Sequence, residues 1–241
     1  MIDFGIIAAG DGNRIKEEGS IVPKPLVNIQ GLPMIGRLIS LMESYGANSV
    51  SIIVNSDMPD VWDYLQNLVP QVKCELKMIS AKTPSSMHSF YHLINLIDPE
   101  DKFIITTVDT IFRGDDFKRY VEYFINSPKD IDGVMGVTSF IDDEKPLYVE
   151  TNPDNEIIKF SDTLPSSQSS EFSTFISAGI YGLRRTSLPI LKECIDNGVN
   201  RMRNFQRKLV ENGLRLKAFD LGKVLDVDHL ADIDKANTFL V

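Results

Sequence analysis

The chain has 241 residues, 43% of them hydrophobic, enough for one sizeable core and generous for two. Its formal charge of -9 argues against a general nucleic-acid or anionic-membrane binder, because such proteins present broad basic surfaces. An anionic ligand must therefore meet a local cluster of positive charge. The two cysteines, Cys74 and Cys194, lie far apart without CxxC or metal spacing and fit buried apolar positions in a reduced protein. The first residues are strand-like, with no signal-peptide pattern and no stretch long and apolar enough to cross a membrane, so a cytoplasmic location is expected.

In chain order, strand-like FGIIAAG is followed by helical PMIGRLISLMESYG, strand SVSIIVNS, helix DVWDYLQNLV, strand CELKMIS, helix SMHSFYHLINLI and strand KFIITTVD. Alternation of this kind predicts βαβ units, and right-handed crossovers place the loops after the strands on one edge, where ligands bind. After Gly114 the rhythm changes. VEYFINSP reads as helix, then DGVMGVTSF, LYVETN, EIIKFSD and STFISAGIYGL read as strands that continue the first sheet. TSLPILKECIDNG and RMRNFQRKLVENG read as helices, LRLKAFDLG and KVLDVD as strands, and a short helix ends the chain. The expectation is one α/β domain over residues 1–241, three-layered and Rossmann-like, with a mixed, mainly parallel central sheet. The biased segment TLPSSQSSEFS is expected to be a mobile loop, and no further domain is expected after HLADIDKANTFLV.

The chemistry concentrates in IIAAGDGNRIKEEGSIVPKPLV, residues 6–27. A glycine-rich turn after a strand lets backbone amides approach phosphate oxygens. A Walker loop needs GK[ST] opening a helix, but Asn13, Arg14 and Ile15 follow Gly12. A dinucleotide fingerprint needs a third glycine where Ile15 stands. In a third arrangement Ala8, Ala9 and Gly10 let a flat base and ribose lie on the strand end, while Arg14 and Lys24 supply charge. Lys16, Glu17, Glu18, Gly19 and Ser20 are too polar for a core, so the loop from Gly12 to Pro23 is expected to be mobile without ligand and to close over one.

The pattern AAGxGxR, a short variable loop and PKPL resembles that of the sugar-phosphate nucleotidyltransferases. Ala8, Ala9, Gly10, Gly12, Arg14, Pro23, Lys24, Pro25 and Leu26 match residue for residue. TPSSMHSF is similar to the segment that contacts the base, VDT at 108–110 to a first metal-ligand site, ISAGIYGL to the strand facing the acceptor, and LDVD at 225–228 to a second metal-ligand site. The resemblance implies attack of an acceptor phosphate oxygen on the α-phosphorus of a nucleoside triphosphate, with pyrophosphate leaving and Mg2+ as cofactor. It implies catalytic roles for Arg14, Lys24 and Asp109, and nucleotide contacts from Ala8 to Arg14 (Asp11 and Asn13 included), Lys24, Thr83, Ser85, Ser86 and Asp109. It implies metal ligation by Asp109 with Asp226 and Asp228, one of the last two dominating, and acceptor contacts from Lys159, Asp162 and Gly179.

Physical chemistry fits that scheme. A phosphomonoester is largely dianionic at neutral pH, so no general base is needed, and His88, His92 and His229 form no recognisable triad. Crowded negative charge has to be neutralised and aligned, Arg14 suiting the leaving phosphates and Lys24 the α-phosphate. Hard oxygen ligands beside a triphosphate suit magnesium. Simpler roles compete: Asp109 as a helix cap or turn former, Thr83, Ser85 and Ser86 as caps of SMHSFYHLINLI, and His229 as a surface or cap residue. One departure stands out. The family's usual Glu-Lys acceptor pair is replaced by Asp162 and Thr163, with Lys159 displaced upstream, so Lys159 would swing in, or Arg184 or Arg185 would substitute. Alternatives are a phosphoalcohol- or molybdopterin-type transferase of the same fold, a glycosyltransferase using a nucleotide sugar, and a nucleotide-binding regulatory module without turnover. The expected partners are a nucleoside triphosphate and a small phosphomonoester, not nucleic acid or membrane, with a homo-oligomer left open.

Overall fold

A computed structural model of the chain describes residues 2–97, 99–140, 144–165 and 172–241. The centre of TLPSSQSSEFS lies outside the described residues.

Strand β1 (Asp3–Ala8) is buried from Phe4 to its end, as a continuous apolar run covered on both faces should be. Helix α1 (Asn13–Glu17), the hairpin of β2 (Asn28–Ile29) and β3 (Leu32–Pro33), α2 (Met34–Ser44), β4 (Ser49–Val54), α3 (Pro59–Leu68), β5 (Glu75–Ser80), α4 (Ser86–Ile97) and β6 (Lys102–Thr107) follow. β1 pairs in parallel with β4 and β6, and β4 with β5. Their carboxyl ends therefore open on one edge.

The second half runs β7 (Thr110–Ile111), α5 (Gly114–Ile125), β8 (Gly133–Thr138), β9 (Tyr148–Thr151), β10 (Ile157–Ser161), β11 (Ser173–Arg184), α6 (Leu188–Asp196), α7 (Met202–Glu211), β12 (Leu216–Asp220), β13 (Leu225–Asp226) and α8 (Leu230–Phe239). Long β11 joins the halves. One of its edges pairs antiparallel with β9 and then β6, the other with β8, to which β12 adds in parallel. The result is one nine-stranded mixed sheet containing the path β10-β9-β11-β6-β1-β4-β5.

Two apolar clusters flank this sheet, completing three layers. One packs Ile35, Leu38 and Ile39 of α2, Leu65 of α3, Phe117 and Phe124 of α5 and Phe239 of α8; the other packs Phe90 and Leu93 of α4, Leu191 of α6 and Phe205 and Leu209 of α7. Cys74 and Cys194 are free and buried, as expected.

Three elements differ from the sequence reading. Asn13–Glu17 forms a short helix rather than open loop, because Ile15 packs into the core and fixes one face of the turn. Helix α5 starts at Gly114 rather than at VEYF, since Phe117, Tyr120, Val121 and Phe124 make a helical stripe and Asp115 and Asp116 complement its amino end. NIQGLP forms a tight hairpin, turned by Gln30 and Gly31 at positive φ.

Candidate active site

The carboxyl ends of the parallel strands build two adjoining cavities. The first, of about 240 Å³, is lined by Ala8, Ala9, Gly10, Asp11, Gly12, Lys24, Thr83, Ser85, Ser86 and Asp109 among others. The second, of about 410 Å³, lies between the 11–24 segment and Asn55, Asp57, Met58, Pro59, Asp60 and Lys82. A Cβ built on Gly10 would meet nothing within 4 Å, leaving open space above the end of β1, whereas Gly12 adopts φ 61, a left-handed turn that presses it against Lys24 Cβ. Asn55, missed in the sequence, holds this turn in place. Its buried amide donates to Ala9 O and Asp11 Oδ1, and its oxygen accepts from the Asp57 N–H. An asparagine closing the strand run SVSIIVNS was the available signal.

Lys24 opens a short 3-10 turn between two prolines, and this stiff entry aims its stem inward. Its Nζ lies 2.6 Å from Asp109 Oδ2 and 2.6 Å from Asp228 Oδ1, while Arg14 donates to the other Asp228 oxygen. Burial would pull the Lys24 pKa down, but the two carboxylates outweigh it and hold the ammonium above its ordinary range. Burial would likewise raise Asp109, but Lys24 and a hydrogen bond from the Thr107 hydroxyl keep it below the usual carboxylate range. The centre is a net in which Lys24 is shared by Asp109 and Asp228, and Asp228 by Lys24 and Arg14.

The register of β7 and β13 brings the two LDVD aspartates here. Asp226 pairs with Thr110 across the strands, Val227 N–H donates to Asp109 O, and Thr110 Oγ1 donates to Asp226 Oδ1 at 3.3 Å. Residues two apart on an extended chain share a face. Asp228 bonds Lys24 and Arg14 at the centre, while Asp226 bonds Thr110, the residue after Asp109. Among the described residues no three His, Cys, Asp or Glu side chains are grouped closely enough to hold a metal by themselves. Two facing carboxylates already bracketing one cation nevertheless suit a divalent ion that takes its remaining oxygens from phosphate and water.

Thr83, Ser85 and Ser86 line the cavity wall at the amino end of α4. Thr83 Oγ1 bonds Ser89 Oγ at 2.6 Å and Ser85 Oγ bonds His88 Nδ1 at 2.9 Å, tying the segment before α4 to its first turn. His229 is a cap, as its bland reading expects: it shares a capping box with Asp232, and Glu18 bonds its Nδ1 at 2.5 Å.

On the acceptor side Gly179 sits at φ 71 in a register shift of β11, where a Cβ would come within 2.5 Å of Thr110 Oγ1 and 2.8 Å of Thr107 Oγ1. Only glycine lets β11 pass this close to the carboxylate strand. Lys159 pairs with Glu150 at 3.8 Å and projects to solvent. Arg184 and Arg185 do not substitute for the absent lysine. Arg184 pairs in register with Lys102 at the far end of β6 and donates to Ile131 O and Pro128 O, while Arg185 donates to Pro99 O, some seven residues along the strand, about 20 Å, from Asp109.

This geometry meets its match in known proteins. The model of a family described as nucleotidyl transferase matches residues 5–240. The chain belongs to that family. Curated relatives of this nucleotidyl transferase include the bifunctional protein GlmU of Methanococcus maripaludis strain C5, 24% identical over 98% of the chain and 54% of the relative, and that of Methanocaldococcus jannaschii, 22% identical over 98% and 56%. The chain spans about half the length of these relatives. Solved structures with the same fold include a putative glucose-1-phosphate thymidylyltransferase from Bacillus anthracis, with TM-score 0.82, 19% identity and coverage of 99% and 95%. The inositol-1-phosphate CTP transferase of T. maritima gives TM-score 0.75 at 19% identity, covering 100% and 98%.

Proposed function

We propose that the chain, as one unit over residues 1–241, transfers a nucleotidyl group from a nucleoside triphosphate to a small phosphomonoester such as a sugar phosphate, releasing pyrophosphate. The observation carrying this reading is the Lys24 ammonium set between Asp109 and Asp228 at the mouth of a glycine-walled cavity on the parallel-strand edge. A base and ribose fit over Ala8, Ala9 and Gly10, beside the free amides at the amino end of α4. Lys24 is placed for the α-phosphate, and Arg14, on the outer side of Asp228, for the departing phosphates. Asp109 and Asp228, or Asp226 in place of Asp228, would hold Mg2+, which when bound would neutralise charge on the triphosphate. The acceptor would approach over Gly179, with Lys159 on the outer strand β10 and Asp162 just past its end. Among the described residues no helix is long and apolar enough to cross a membrane, which suits the proposed cytoplasmic role.

A thermal-shift screen of the nucleoside triphosphates with magnesium, followed by pyrophosphate detection against a panel of phosphomonoesters, tests the proposal. Stabilisation by one triphosphate and pyrophosphate release with a panel member are expected. Stabilisation with no release would replace it with a nucleotide-binding module that lacks turnover.

A further inference from the structure

The acceptor half lacks the family's strand lysine, yet it is not short of positive charge. Asp162, just past the end of β10, is gripped from helix α7 by two arginines. Arg203 NH1 lies 2.6 Å from Asp162 Oδ1, and Arg207 NH2 lies 2.6 Å from Asp162 Oδ2. Both arginine side chains are more than two-thirds covered, with exposures of 28% and 23%. Backbone contacts orient them: Arg203 also donates to Lys145 O and Arg207 to Phe160 O.

Three observations tie this pair to the centre. The amino end of α7 touches the nucleotide cavity, where Arg201 N–H donates to Ser85 Oγ. One turn along, the buried Gln206 accepts from Ser177 Oγ on β11, two residues before Gly179. The buried Tyr181 phenol, raised first by burial and then by Asp226 and Asp109, also feels the opposing charge of Arg203. Arg203 therefore lies within electrostatic reach of the groove that holds the catalytic carboxylates.

We propose that Arg203 and Arg207 recognise the phosphate of the acceptor, taking from helix α7 the charge that the strand lysine supplies elsewhere in the family. This rests on the nucleotidyltransferase reading above. Two planar forks match a phosphate dianion bidentately, which a single ammonium cannot do. Asp162 keeps the forks aligned in the resting protein and yields them as the phosphate arrives. A carboxylate in that place is a competitor for the same donors, so its removal should strengthen phosphate binding, the opposite of what loss of a structural clasp would do.

Inorganic phosphate is the probe, followed by phosphorus NMR line broadening and by hydrogen exchange over residues 202–211, a readout separate from the nucleotide cavity. In the unmodified protein phosphate should slow exchange in α7. The double variant Arg203→Ala with Arg207→Ala should abolish that protection and weaken phosphate binding roughly tenfold or more, the scale of a lost charge-assisted hydrogen bond. Asp162→Asn should tighten it. With whichever phosphomonoester supports pyrophosphate release, the double variant should raise the acceptor KM and leave the triphosphate KM unchanged, and Arg203→Lys should recover part of the loss. Unaltered protection in the double variant, or weaker binding in Asp162→Asn, overturns the assignment. If phosphate protects α7 and no phosphomonoester releases pyrophosphate, the enzymatic reading fails and the acceptor role with it, while the phosphate site on α7 stands.

Discussion

Replacing Lys24 by Met keeps the stem and removes the charge, so this variant asks how much the ammonium holds together. Each 2.6 Å contact carries a Coulomb energy of about 6 kcal/mol at an effective dielectric near 20. Desolvation of the three ionised groups offsets most of it. Removing one partner of a buried pair costs about 3–5 kcal/mol, but Asp109 is 27% and Asp228 34% exposed, and water recovers part of the loss. The expected destabilisation at pH 7 is about 2 kcal/mol, which in a chain of this size lowers Tm by roughly 4–8 °C. Its pH dependence is specific. Asp109, depressed in the folded state, contributes stability above its ordinary value of 3.8 that is lost as pH falls through the lower folded value. Lys24, raised in the folded state, contributes below 10.5 and loses that contribution only as pH rises through its higher folded value. The gap between variant and parent should therefore be full from about pH 5 to pH 10 and close toward acid. Urea melts at pH 7 and pH 3 measure it. An equal gap at both values would refute a coupling between the Lys24 charge and the ionised Asp109.

Asp109→Asn should retain the fold and reduce pyrophosphate release by roughly two or more orders of magnitude, since it removes a carboxylate that would hold the charge-neutralising metal; unchanged release would remove Asp109 from the metal site. Arg14→Ala should lower kcat more than it lowers triphosphate affinity, and Lys16→Ala should be mild, as steady-state kinetics with direct nucleotide titration would show. If Arg14→Ala weakens binding alone, the arginine is a static anchor. Gly179→Ala combines a left-handed backbone with a 2.5 Å approach to Thr110 Oγ1, so it should destabilise by about 2–3 kcal/mol in denaturant melts and displace β7 with its attached Asp109.

The parallel half of the sheet was legible because its strands are uninterrupted apolar runs and its helices carry a clear 3.6-residue stripe; both signals are local. The cradle from Ala8 to Lys24 was legible because glycine, proline and charge crowd into one stretch. Elements stabilised by tertiary packing were not. Helix α1 exists because Ile15 finds the core, and β7 exists because Leu225 and Asp226 arrive from more than a hundred residues away to pair with it. The same limit explains the acceptor side. Asp162, Arg203 and Arg207 are ordinary surface letters in sequence, and only the packing of α7 on β10 brings them together. Arg184 illustrates the reverse error: a plausible charge next to the right strand, but at its wrong end.

The sequence also could not show that both candidate phosphate-binding cations are already occupied. Arg14 and Lys24 share Asp228, and Lys24 adds Asp109, so both cations are paired before any ligand arrives. A triphosphate alone would have to draw the two cations off their carboxylates and leave Asp109 and Asp228 facing one another uncompensated. A divalent ion alone would have to displace an ammonium that both carboxylates hold at 2.6 Å. Entering together, the two would exchange partners: the phosphates would take Arg14 and Lys24 and the carboxylates would take the metal, so that neither cations nor carboxylates would be left unpaired. In a protein of net charge -9, that exchange would let a strongly anionic substrate bind at a site walled by carboxylates without a broad basic surface to attract it.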